Sequence, residues 1–277
     1  MKILMSLLIA SILKCLWGFI VDKIIEINKV SVSFDNEEVL HDVSLDINKE
    51  DFVVLLGPSG CGKTTLLKII AGYLKPQSGK VLKNNTLITK PDKSIGVVFQ
   101  TPTLYPWLNV KENVIFGPKM SGKSPADLDK ISEVYLKQVG LENYENKHTF
   151  ELSGGMKQRL ALARTLANNP EVILMDEPLA SLDAFTRRSM QKLIRDLKLE
   201  NNSTVFMITH DVDEALLLGN RILVMSKYAK NIVQEFTCDF YEKISSDKHF
   251  VYQKAYLELK SKIMDIIDNE KNTQLVN

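Results

Sequence analysis

Cysteine is sparse in this chain: Cys15, Cys61 and Cys238 are scattered and odd in number, which argues against both a disulfide framework and a zinc site. A reducing compartment is the natural expectation. A surplus of one charge is missing too. The 35 Lys and Arg against 34 Asp and Glu leave a net charge of +1, so no global field argues for nucleic acid as a partner. No internal repeat and no long coiled-coil insertion occurs. What remains is 277 residues, 45% hydrophobic and 25% charged, enough for one large α/β domain with a smaller insertion.

An unbroken apolar run of membrane-spanning length is also lacking. Residues 1–21 are apolar apart from a few positions, but Lys14 splits them near the middle. A span needs about 20 apolar residues, and a central lysine costs about 2.5–3.5 kcal/mol. Lys2 ahead of a short apolar core superficially matches a secretion signal. The stretch is read as a peripheral or untranslated extension, with the domain pattern starting near Asp22.

From Lys23 the apolar residues Ile25, Ile27, Val30, Val32 and Phe34 alternate imperfectly, and Val39, Val43, Leu45 and Ile47 follow a polar turn. This predicts an antiparallel sheet. Phe52–Leu56 is a continuous apolar run of the kind found in buried parallel strands, and it leads into Gly57-Pro58-Ser59-Gly60-Cys61-Gly62-Lys63-Thr64 and then a helical pattern to Ala71. Strand, glycine loop and helix in that order are the context a phosphate-binding loop requires. The glycines let backbone N–H groups converge on phosphate oxygens, and the helix adds its positive end. The bland alternative is a glycine turn before an ordinary helix. Cys61 sits at a variable position of the loop and reads as a small tolerated residue, not a reactive thiol.

Three further strand ends carry chemistry. Val172–Met175 delivers Asp176 and Glu177; Ser94–Phe99 delivers Gln100; Thr204–Thr209 delivers His210. In an open parallel sheet such ends share one edge. Leu152-Ser153-Gly154-Gly155 precedes a helix with a Leu160, Ala163, Leu166, Ala167 stripe. Taken alone it reads equally as a helix cap or as an anion-binding helix start.

The ordered set resembles the ATPase subunit of an ATP-binding cassette (ABC) transporter, over about Ile24 to Ser226. The resemblance implies an α/β phosphate-loop NTPase cassette with a RecA-like core, an N-terminal antiparallel β subdomain and a helical subdomain inserted at about 101–168, the whole ATPase domain spanning 22–268. It implies ATP and Mg2+ as cofactors. Glu177, His210 and Gln100 take catalytic posts, and Thr64, Gln100 and Asp176 the magnesium shell. Nucleotide contacts fall to Phe34, Gly57, Pro58, Ser59, Gly60, Cys61, Gly62, Lys63, Thr64, Thr65 and Asp183, and across a dimer to Ser153, Gly154 and Gly155. Phe34 stands where an aromatic stacks on adenine; as a strand residue it is alternatively core. Met156 replaces the glutamine common after the glycines.

The implied partners are a second ATPase subunit, transmembrane permease subunits at the cytoplasmic face of the membrane and, indirectly, an extracytoplasmic substrate-binding protein, with no nucleic acid. Leu104-Tyr105-Pro106-Trp107-Leu108, Asn113-Val114 and Phe116-Gly117 look most like the nitrate, sulfonate and taurine importers. An exporter ATPase and a soluble non-transport cassette are the alternatives. Tyr105, Pro106 and Trp107 are read as exposed partner contacts or a satellite core. Helical patterns over Val110–Phe116 and Asp127–Val139 are divided by Gly117-Pro118 and Gly122, and Arg187, Arg188, Lys192 and Arg195 read as a solvated helix face. The usual glycine-containing hairpin is absent after Met225. Tyr252, Tyr256, Leu259, Ile263 and Ile266 form a last helical stripe, and the end from Asn269 reads as disordered.

Overall fold

The computed structural model describes residues 22–35, 37–238, 240, 243, 251 and 253–272; the apolar stretch at 1–21, Tyr252 and 273–277 lie outside that set. Strands β1 (Lys23–Phe34) and β2 (Glu37–Asn48) form the expected antiparallel pair, joined by β4 (Ser78–Lys83) and β5 (Thr86–Leu87) in a four-stranded sheet of order β2-β1-β4-β5. The imperfect alternation has a backbone cause: Lys29 (φ 49°) and Asp42 (φ 50°) adopt left-handed conformations where the β1–β2 register shifts, as β-bulges do. The apolar residues on both sides of the bulge stay inward.

The second sheet contains β3 (Phe52–Leu56), β6 (Ile95–Val98), β7 (Val172–Asp176), β8 (Thr204–Ile208) and β9 (Arg221–Met225), all parallel, with β10 (Ile232–Thr237) antiparallel to β9, in the order β10-β9-β3-β8-β7-β6. Its central strands are buried on both faces, as their unbroken apolar runs require. One core lies between this sheet and α1 (Lys63–Ile70) and includes Leu66, Leu67, Ile70, Val53, Leu55 and Phe206. The other, with Leu162, Met190, Ile194 and Leu216, lies under α4 (Gly154–Leu166), α5 (Ala184–Asn201), α6 (Val212–Leu218) and α7 (Lys254–Asn272). A third cluster joins α2 (Val110–Met120) and α3 (Pro125–Gln138) to α4 through Val110, Val114, Leu136, Leu152 and Leu160.

Several expectations are corrected. Of the two expected divisions, Gly117-Pro118 does not break helix α2, which runs through it to Met120, whereas the one at Gly122 holds, the helix ending at Ser121-Gly122; Pro118 is buried inside α2, and the packing of α2 on α4 overrides the local penalty. A hairpin does follow Met225 without glycine. Lys230 takes φ 53°, and the Ser226 hydroxyl accepts the N–H groups of Tyr228 (3.1 Å) and Ala229 (2.9 Å), supplying the turn's bonds. Helix α7 continues to Asn272, so Asn269–Asn272 are helical. On α5, Arg188 and Lys192 are solvated as read, whereas Arg187 and Arg195 are partly buried.

Candidate functional site

Strands β3, β7 and β8 end side by side, and the loops that leave them carry the candidate residues. Gly60 (φ 78°) and Gly62 (φ 101°) hold left-handed conformations that glycine adopts without steric cost. Gly62 is the N-cap of α1, which has no side-chain cap and no acid in its first turn. The exposed N–H groups and the dipole of such a helix start favour an anion. The Lys63 side chain is buried and curls back over the loop, donating from Nζ to the carbonyl oxygens of Gly57 and Pro58, both at 2.9 Å. Cys61 is buried below the loop and burial pushes its thiol pKa up, the opposite of an activated nucleophile.

Two pairs complete this edge. Thr64 donates from Oγ1 to Asp176 Oδ1 at 3.1 Å, so a hydroxyl from α1 and a carboxylate from β7 face one point. Burial raises the Asp176 pKa above the ordinary carboxylate value, opposed by the Thr64 hydrogen bond and reinforced by the neighbouring Glu177 charge. A carboxylate in that environment is short of positive charge. Among the described residues no three His, Cys, Asp or Glu side chains converge. One hydroxyl and one carboxylate fit a magnesium ion that draws its remaining ligands from phosphates and water. Glu177 has φ 44°, rare for a residue with a Cβ, and its N–H donates to the Ile208 carbonyl at 3.0 Å. This turn aims the carboxylate at the next loop, where Glu177 Oε2 lies 3.2 Å from His210 Nδ1.

Other expected residues are placed differently. Phe34 ends β1 and is 46% exposed, which removes the core alternative. Gln100 follows β6 as an exposed residue, and its neighbour Phe99 accepts at its carbonyl from Gln158 Nε2 at 3.2 Å. Ser59 and Thr65 flank the buried Lys63 as solvent-accessible positions. Ser153 caps α4, accepting from Met156 N at 3.3 Å. A Cβ on Gly155 would stand 2.5 Å from Thr186 Cγ2, so that glycine lets α4 and α5 approach. Among the described residues no hydrogen bond or ion pair joins Leu152–Gly155 to the 57–64 loop. Asp183 caps α5, with Oδ1 accepting from Phe185 N and Thr186 N, both at 3.0 Å. Those bonds hold its carboxyl below the usual range.

Sequence reasoning missed the frame around His210. Thr209 donates from Oγ1 to Glu214 Oε2 at 2.6 Å, and Glu214, buried with its pKa raised by that burial, faces Arg187 Nε at 3.8 Å. Arg187 in turn donates to the Leu182 carbonyl at 3.1 Å, which ties the loop after Glu177 to the loop of His210. It also missed Asn113, fully buried, whose Oδ1 accepts from Tyr105 N at 2.9 Å. Its Nδ2 donates to the carbonyls of Tyr105, Leu108 and Asn109 at 3.2, 3.2 and 2.9 Å. The sequence offered Asn113-Val114 only as part of the importer resemblance and as an amide within an apolar helical stripe, neither of which shows what the side chain braces. Asn113 fixes the loop from which Trp107 projects, 69% exposed. Tyr105 packs inward on Phe116 (centroids 4.5 Å apart) beneath the Arg164 guanidinium.

A parallel sheet whose strand ends converge on a glycine loop, a hydroxyl–carboxylate pair and a carboxylate–histidine pair defines a phosphate-loop ATPase. The family description ABC transporter matches residues 40–180. A taurine import ATP-binding protein of Roseobacter denitrificans is 49% identical over 221 residues, 78% of this chain and 82% of that protein. An uncharacterized ABC transporter ATP-binding protein of Methanocaldococcus jannaschii is 41% identical over 233 residues, 84% and 85% of the two chains. Among solved structures, an ATP-binding cassette dimer in a post-hydrolysis state with ADP and Pi superposes with a TM-score of 0.68 at 34% identity, covering 77% of this chain and 98% of that one. The cbiO1 part of a Clostridium perfringens ABC transporter complex gives a TM-score of 0.72 at 28% identity, covering 88% and 99%. The chain belongs to the ABC transporter family, and its activity is ATP hydrolysis.

Proposed function

We propose that this chain energises import of a small anionic or zwitterionic solute of the taurine or sulfonate type, as the ATPase subunit at the cytoplasmic face of a membrane permease. The placement of Thr64 against Asp176 beside Glu177 against His210 carries the hydrolytic part of the reading. The import part is supported by relatives named for taurine import at 49% and 44% identity, and by the outward Trp107 on a braced loop, suited to a partner contact. Among the described residues no helix is long and apolar enough to cross a membrane.

In this reading the glycine loop and the start of α1 bind the triphosphate, and Lys63 exchanges its carbonyl partners for β- and γ-phosphate oxygens. Phe34 stacks on the adenine. Thr64, Asp176 and Gln100 would hold Mg2+, which would supply charge neutralisation at the phosphates. Glu177 accepts the proton of the attacking water, and His210 orients Glu177 and the γ-phosphate. Ser153, Gly154 and Gly155 serve nucleotide bound by a second copy, and Asp183 serves nucleotide bound by its own chain. Reconstitution with candidate permease and substrate-binding proteins, in vesicles loaded with ATP and Mg2+, tests the whole. Taurine uptake that requires Glu177 is expected; export of solute, or ATP turnover without a permease that co-purifies, would overturn the import reading.

A further inference from the structure

Helix α6, which begins two residues after His210, is held by two different helices through adjacent acids. Glu214 turns inward to Thr209 and Arg187 of α5. Asp213 turns toward α7: Tyr256 donates from Oη to Asp213 Oδ1 at 3.0 Å, and Lys260 Nζ lies 2.7 Å from Oδ1 and 2.8 Å from Oδ2. Tyr256 and Lys260 are one helical turn apart and so present both donors to one carboxylate. Tyr256 and Ile263 anchor α7 in the core that also holds Ala215 and Leu216 of α6.

We propose that Asp213 is a positioning residue through which α7 sets His210 against Glu177. The inference rests on the reading that His210 serves hydrolysis. Helix α6 has seven residues, too few to be stable alone, so its first turn takes its place from tertiary contacts. The His210 ring is 61% exposed and has Glu177 as its hydrogen-bonding neighbour. Its direction is therefore inherited from the backbone of Thr209–Asp213. That backbone is pinned at one end by β8 and at the other by the Asp211 cap, which accepts Asp213 N at 2.8 Å and Glu214 N at 3.1 Å. A half-exposed ion pair contributes little to stability, so the Asp213 cluster acts chiefly on geometry. Helix α7 makes a comparable bond elsewhere, where Ser226 Oγ donates to Glu270 Oε2 at 2.5 Å, on the β9–β10 turn.

That second bond supplies the control. Full-length Lys260→Met, Tyr256→Phe and Asp213→Asn proteins are compared with Glu270→Gln for steady-state ATPase kcat and KM, thermal midpoint, and the His210 ring resonances, assigned by their loss in His210→Ala. The proposal expects kcat to fall about ten-fold in Lys260→Met and Asp213→Asn, since small misplacements of reacting groups cost that much or more. It expects KM for ATP to stay within about two-fold, the His210 resonances to shift, and Lys260→Arg to restore both. Glu270→Gln should lower the midpoint without either change. Equal kcat losses at matched thermal midpoints, or unmoved His210 resonances in the folded Lys260→Met protein, overturn it. Full turnover by His210→Ala would instead defeat the underlying role of His210, whatever the Lys260 variants do.

Discussion

Helices α1 and α4 both carry glycine at their starts, Gly62 as the cap of one and Gly154 as the first residue of the other, yet their first turns are built differently. Gly62 at the start of α1 has a left-handed backbone and no capping side chain, and a lysine folds over the open end. At α4 the Ser153 hydroxyl takes the Met156 N–H, and Gly155 is spent on approach to Thr186. The first start has groups of its own chain on every side: Thr64 reaches Asp176, and Glu177 reaches His210. The second has none of these within hydrogen-bonding distance. The first helix N-terminus is therefore built into a cluster of strand ends, and the second is closed by its own Ser153 cap alone.

The sharpest break of that comparison is at the first start. Lys63→Ala is expected to lose ATP binding, followed with a fluorescent nucleotide, together with turnover. Glu177→Gln should keep binding while phosphate release falls by about 10²–10⁴, the range supplied by a positioned base; unchanged release from that variant would remove Glu177 from its post. At the second start, Ser153→Ala separates a cap from a ligand group. A cap alone costs about 1 kcal/mol of stability and leaves kcat intact. The reading above expects kcat to fall as well, along with loss of the ATP-dependent dimer that light scattering should detect in Glu177→Gln with ATP and Mg2+ but not with ADP.

Gly155→Ala should lower the thermal midpoint by several degrees, because the new methyl meets Thr186 Cγ2 at 2.5 Å and overpacking costs about 1–3 kcal/mol; Thr186→Ser in the same protein should recover part of the loss. The smallest effect has the opposite sign. The folded Asp176 pKa lies above its unfolded value through burial and the Glu177 charge, so ionisation above the unfolded pKa costs the fold stability, and the cost fades as pH falls. Asp176→Asn should therefore raise the nucleotide-free thermal midpoint at pH 7 and lose that gain as pH falls toward the ordinary carboxylate range, while abolishing magnesium-dependent turnover. A lower midpoint for this variant at pH 7 would contradict the sign.

The strands and the edge they build were legible because β3, β7 and β8 are unbroken apolar runs that end in chemistry: Gly57, Asp176, His210. Pairwise geometry was not. The bend that turns Glu177 toward His210 is a single left-handed residue with no glycine to announce it, and Lys230 hides the last hairpin in the same way. Pro118 looked like a helix end because local penalties are visible in a sequence and the packing of α2 on α4 is not. Arg187 belonged to a basic helical stripe, and only the fold shows it turned in toward Glu214. Long-range pairs of this kind leave no periodic trace.

Asn113 has mechanical consequences. One side-chain amide engages the N–H of Tyr105 and the carbonyls of three residues between 105 and 109, so the loop that carries Trp107 has no slack relative to α2. Force applied at the indole is delivered to the helix as displacement instead of being dissipated by bending of the loop. Helix α2 shares its packing with α4 through Val110, Val114 and Leu160, and the far end of α4 is the Ser153 turn. The two surfaces to which the proposed function assigns partners therefore sit on one lever, whose rivet is a buried carboxamide.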